Sequence, residues 1–134
     1  MNDEFMSGLK TIVGGFVAFT LTIGHASAMN DSQSMVRIFA ECSGRLTAAV
    51  EHQRMFFGEA SPDLEQAQVA MFAVLEAATP PDMNRSVISW RVSARAAQNA
   101  LMSQATLSFN QQTSTWAQQR SDRLLADCRS FVIF

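Results

Sequence analysis

The sequence predicts an all-α protein: a small antiparallel bundle of three or four helices, closed by one disulfide. Three observations lead there. Apolar residues recur at helical spacing through most of the chain. Good helix formers (Ala, Gln, Met, Leu, Arg) dominate after residue 28, Tyr is absent, and no β-rich run stands between turn signals. Two cysteines, Cys42 and Cys128, follow a segment that reads as an export signal. An even pair of cysteines in an oxidising compartment is expected to form a bridge.

The leader comes first. Lys10 supplies a positive charge, Thr11 to Gly24 is fourteen residues without a charge, and His25-Ala26-Ser27-Ala28 ends in the small-residue pattern that a signal peptidase accepts. As a helix the run measures about 21 Å, short of a hydrocarbon core of about 30 Å. Residues 1–28 are therefore expected to be a signal peptide and 29–134 a single helical domain, periplasmic or secreted, with no membrane span after cleavage. An uncleaved anchor is the alternative. Asp3 and Glu4 make an atypical start, and Met6 would make a cleaner one. The whole chain is 48% hydrophobic and 16% charged, a globular rather than a disordered composition.

Asp31-Ser32-Gln33-Ser34 offers N-cap residues for a first helix over 32–57. Its stripe is Val36, Phe39, Ala40, Ser43, Leu46, Thr47 and Val50, and Gly58 suits the left-handed position that ends a helix. Ser61-Pro62-Asp63 starts a second helix over 62–78, with Leu64, Ala67, Met71, Phe72, Leu75 and Ala78 on one face and Pro80-Pro81 beyond its end. Thr79-Pro80-Pro81-Asp82 resembles a capping box, with Asp82 or Asn84 as other caps. A third helix then carries Val87, Trp90, Ala94, Ala97, Leu101 and Ala105, flanked by Ile88, Val92, Met102 and Phe109, and reaches as far as Phe109. After a polar stretch with neither Gly nor Pro, Thr115-Trp116-Ala117-Gln118 fits a second capping box, ahead of a face made by Ala117, Ser121, Leu124, Cys128 and Phe131. The two tryptophans are expected in the core.

The cysteines constrain this last region. A bridge needs Cα atoms within about 7 Å. One continuous helix after residue 82 would carry Cys128 about 69 Å from the turn near which Cys42 lies. A break is therefore required near residues 103–115. Even so, a climb from 82 to 109 of about 40 Å against a descent of about 18 Å leaves the two sulfurs some 20 Å apart in height. Either the third helix ends earlier, or it crosses obliquely, or the bridge joins two chains.

Charge divides unevenly. From Met29 to Asp82 there are eight acids and three arginines; from Met83 to Phe134 there are two acids and six arginines. Such asymmetry marks either an interaction surface or two halves that pair internally. Arg85, Arg91 and Arg95 are the candidate partner-binding edge, and Asp63, Glu65 and Glu76 an acidic counterpart on the second helix. Arg91 and Arg95 have a specific alternative as ion pairs with acids of the first two helices. Nucleic acid is not expected as a partner, because the basic half is weakly charged.

No residue pattern points to catalysis, a metal or a bound cofactor, and none of these is expected. His52 is the one histidine after the leader, next to Glu51; zinc sites usually need three or four protein ligands. There is no Cys-x-x-Cys-His, Gly-rich phosphate loop or metalloprotease motif. The reading that remains is a non-enzymatic protein that binds another exported or envelope protein. The alternatives are a ligand-carrying bundle that holds haem (His52 with Met102), a metal or a lipid, and a small enzyme that uses His52 with a carboxylate. The oligomeric state is left open.

Overall fold

The computed structural model describes the backbone of residues 24–132 and side chains from residue 30 to 132. The expected leader falls outside them, except that Gly24 to Ala28 form the first residues of a helix. Four helices follow one another: α1 (Gly24–Phe57), α2 (Pro62–Ala78), α3 (Asn84–Leu107) and α4 (Gln111–Ser130), with a 3-10 turn over Pro81–Met83 ahead of α3. The all-α bundle and its disulfide are as the sequence predicts.

The chain runs up, down, up, down. Gln68 donates to Thr47 and Arg54 meets Glu65, so α2 descends beside α1. Val87 packs low on α1 with Val36 and Ala40, while Thr106 reaches His52 near the top, so α3 rises parallel to α1. Gln98 meets Ser121 and Ser114 donates to the Ala105 carbonyl, so α4 descends.

α1 is the central element. Residues 42 to 44 and 48 to 50 are buried on consecutive positions, which a one-sided helix would not show. It packs against α2, α3 and α4, and α3 also packs on α4. The backbone of α2, by contrast, approaches α3 and α4 only marginally. Two apolar clusters result. The larger joins Leu46, Val50, Leu64, Met71 and Met102 with both cysteines; the smaller joins Val36, Ala40, Leu75, Met83 and Val87. At Gly44 the backbones of α1 and α3 come close together. A Cβ there would fall inside the van der Waals shell of the Arg91 carbonyl oxygen and 3.0 Å from the Arg95 nitrogen.

Several boundaries differ from expectation. α1 is already helical at Gly24, well before residue 32, so the Asp31–Ser34 cluster sits inside a helix and not at its start. Among the described side chains burial starts at Val36, and residues 30–35 are exposed. α2 ends as expected on both sides. Gly58 takes φ +85° and its N–H donates to the Arg54 carbonyl. Ser61 holds the N-cap position through its backbone alone: its carbonyl accepts from Leu64 and Glu65, and its N–H donates to Gln53 Oε1 at 2.8 Å. Thr79 does not open α3 as a capping box. Its hydroxyl donates back to the Leu75 carbonyl at 2.6 Å, satisfying an end group of α2.

The required break lies at residues 108–110. Asn110 is the true cap, its Oδ1 accepting the Thr113 N–H at 2.9 Å. Thr115 is therefore already inside α4, and its capping-box reading is wrong. Starting α4 at Gln111 and ending α3 at Leu107 recovers about 10 Å of the expected height mismatch. The Cys42–Cys128 bridge forms within one chain, with Cα atoms 5.2 Å apart.

On α3 the buried face is rotated from the one expected. Val87, Ala94, Gln98 and Met102 point inward, whereas Ala97, Ile88, Val92 and Phe109 are exposed. Trp90 is half-buried against the lower cluster under the Arg37 guanidinium, but Trp116 is 57% exposed and not a core residue.

Candidate interaction groove

Because the backbone of α2 packs closely on α1 and only its side chains reach α3 and α4, a channel runs along each of its flanks. The first lies between α2 and α3, with α1 as its floor. A recess of about 210 Å³ is lined by Gly44, Thr47, Ile88, Arg91, Val92 and Arg95. It continues, through shared Ile88 and Arg91, into one of about 540 Å³ lined also by Phe72, Leu75, Glu76 and Thr79. The α3 wall is apolar and open to solvent, with Ile88 60% and Val92 62% exposed.

The three candidate arginines have different fates here. Arg85 is exposed near the start of α3 and makes no ion pair among the described residues. Arg95 is held by Glu51 through two bonds, Nε to Oε2 at 3.0 Å and Nη2 to Oε1 at 2.6 Å. That bidentate pair is the internal alternative expected for it. Arg91 is half-buried, with its guanidinium carbon 4.8 Å from the centre of the Phe72 ring. Its Nε is buried and has no acceptor. Of the acidic residues on α2, Glu65 pairs with Arg54 at 2.6 Å, Asp63 is exposed at the helix start, and Glu76 lines the groove opposite Arg91. Among the described residues, Arg95–Glu51 is the one ion pair that joins the basic half of the chain to the acidic half.

The second channel lies between α2 and α4. It is a recess of about 500 Å³ whose lining includes His52, Leu64, Met102, Ser121, Asp122, Leu125 and Arg129. His52 does not pair with a carboxylate. Its Nε2 lies 3.2 Å from Thr106 Oγ1 and its ring rests against Phe56. Loss of solvent around the ring lowers its pKa below the ordinary value, which favours neutral imidazole. Neighbouring Glu51 is taken by Arg95, and Asp122 accepts from Gln118 at 2.8 Å. No three His, Cys, Asp or Glu side chains group as a metal site among the described residues. Met102 joins His52 in the lining of this recess, as the haem alternative requires.

Two features of these sites were not legible in the sequence. One is Gln98, 1% exposed, whose Nε2 donates to Ser121 Oγ at 2.7 Å while its Oε1 has no partner. The other is a set of exposed apolar side chains at the upper end of the bundle, including Met55, Phe57, Leu107 and Phe109. The whole span from Ala96 to Gln119 carries no charge, and that run is the one sequence signal that could have marked this end. No family model, curated protein or solved structure matches the chain. No helix of the described residues is long and apolar enough to cross a membrane.

Proposed function

We propose that this is an exported, non-enzymatic binding protein, acting in the periplasm or as a secreted protein, whose α2–α3 groove takes an apolar segment of another exported or envelope protein. The observation that carries the reading is Arg91. A buried donor without an acceptor costs about 1–3 kcal/mol, and here it lies among exposed Ile88 and Val92 in an open channel. A partner's carbonyl or carboxylate oxygen would draw the guanidinium out into the channel and accept from it, while its apolar side chains cover the α3 wall. The disulfide and the leader-like first residues support export.

The test places a photoreactive phenylalanine derivative at Val92, with a second at Arg123 on α4 as the control, in cells that export the protein. A discrete adduct from position 92 and none from 123 is expected. Arg91→Met keeps an unbranched apolar side chain beside Phe72 in place of the guanidinium and removes the orphan donor, so it should abolish the adduct at unchanged or higher stability. Equal adducts from both positions, or an adduct indifferent to Arg91→Met, would overturn the proposal.

A second reading, a ligand-carrying bundle, is favoured by the roughly 500 Å³ recess on the other flank of α2, a size that small-molecule sites commonly have.

A further inference from the structure

The recess between α2 and α4 has a polarity that selects among ligands. Its apolar side chains include small ones, with Ala49 and exposed Ala126 leaving room between Leu64, Met102 and Leu125, and Gln53, Ser61, Ser121 and Asp122 are among its polar ones. At its lower end stands Arg129, which is exposed and makes no ion pair among the described residues. At its upper end are neutral hydrogen-bonding groups, His52, Thr106 and Gln118. Asp122 sits seven residues before Arg129, two turns up the same helix and about 10 Å away.

The buried amide of Gln98 lies behind Ser121, outside the lining of the recess. As placed, Nε2 donates to Ser121 and Oε1 has no partner. Turning the amide over would satisfy Oε1 from the serine hydroxyl and leave Nε2 without an acceptor. One end of this buried group is thus unmatched by protein either way. As placed, Ser121 accepts from Gln98 and keeps its own hydroxyl proton to donate, and it lines the recess.

From this arrangement we infer that the recess binds an amphiphilic carboxylic acid, with its carboxylate on Arg129 and its acyl chain along these apolar side chains toward Ser121 and His52. The inference rests on the ligand-carrier reading. Orientation follows from charge, because the opposite placement would bring the anion beside Asp122. Length follows from the helix: Gln118 to Arg129 is eleven residues, about 16 Å. With C–C bonds of about 1.5 Å in a zigzag, that span holds an extended chain of roughly 10–12 carbons.

Two exposed positions make the test clean, since neither takes part in the core: Arg129→Gln removes the cation, and Ala126→Trp fills the trough. The probe is 11-(dansylamino)undecanoate, displaced by dodecanoate, its methyl ester or dodecylammonium, on the oxidised full chain. Binding with a blue-shifted emission is expected, displaced by dodecanoate. Affinity should fall at least tenfold in Arg129→Gln and with the methyl ester, and vanish in Ala126→Trp, at unchanged circular dichroism. Equal binding by all three proteins would show adsorption to the surface and overturn the assignment. If dodecylammonium or haem binds, is blocked by Ala126→Trp, and dodecanoate does not bind, the carboxylate assignment falls while the carrier reading stands. If no amphiphile and no haem binds, and native mass spectrometry of the isolated protein shows no bound small molecule, both fall.

Discussion

Replacing Gly44 with alanine should reverse the sign that helix propensity assigns. In the middle of an unobstructed helix, Gly→Ala stabilises by about 1 kcal/mol. At Gly44 the added methyl would enter the shell of the Arg91 carbonyl oxygen and lie 3.0 and 3.1 Å from the Arg95 nitrogen and the Arg91 carbonyl carbon. These are backbone atoms of α3, and no side-chain rotation moves them. Restoring ordinary contact, near 3.5 Å, means pushing α3 away from α1 by about an ångström. That loosens the most extensive helix contact in the bundle. Overpacking of this kind costs about 1–3 kcal/mol, occasionally more. With the propensity gain included, a net loss of about 2 kcal/mol is expected. The assay is urea unfolding followed by far-ultraviolet circular dichroism, with the disulfide intact in both proteins. Ala73→Gly, at an exposed position of α2, calibrates the propensity contribution in the same molecule. A Gly44→Ala protein as stable as the parent, or more so, would refute the close approach of α1 and α3.

Three further outcomes can be measured on the same protein. Replacing both cysteines by serine opens a loop of 86 residues, so stability should fall by about 4–5 kcal/mol in the chain-entropy model; a loss below about 1 kcal/mol would contradict it. Asn110→Ala removes the bond to the Thr113 N–H and should cost about 1 kcal/mol, whereas Thr115→Ala should cost much less, because that residue is inside α4. The folded-state pKa of His52 is lowered, so the unfolded chain binds its proton more readily. The stability contributed by neutral His52 should therefore be complete above about pH 6.5 and be lost as pH falls below it. Comparing unfolding free energies of the parent and His52→Gln from pH 8 to pH 5 isolates this effect from the carboxylates; a constant difference would disprove it.

The parts of the fold that were legible in the sequence are those where one signal stood alone. Pro62 at one end of α2 and Pro80-Pro81 beyond the other left few choices, and Gly58 was the sole candidate to close α1. The disulfide was legible because a leader-like start and two cysteines point to one bridge, within or between chains, and its reach within one chain required a break before α4. The position of that break was not legible. Thr115 offered a better local pattern than Asn110, and only the contacts of Ser114 and Gln98 across the hairpin show which of them caps the helix. Asp31–Ser34 misled for the same reason: side chains that cap helices are also tolerated inside them when the helix continues. The rotation of α3 was hidden because a count of apolar residues prefers Ala97 to Gln98, and a buried amide matched to a serine on another helix leaves no trace in periodicity. Of the candidate site, the three arginines stood out by their density, but their separate fates depend on which helices stand apart. Nothing in the sequence distinguishes Arg95, clasped by Glu51, from Arg91, four residues earlier with an unanswered donor.

The covalent link joins the first helix to the last, which makes the polypeptide from residue 42 to residue 128 a closed ring. A protease that cuts the strap at residues 79–83 would not release a fragment; both pieces would stay tied and α2 would keep its seat on α1. Such a molecule survives a single nick. A gene rearranged to start at Asp82, with the old ends spliced, would lose this ring: the same bridge would then close the other arc of the chain, from Cys128 through the splice to Cys42.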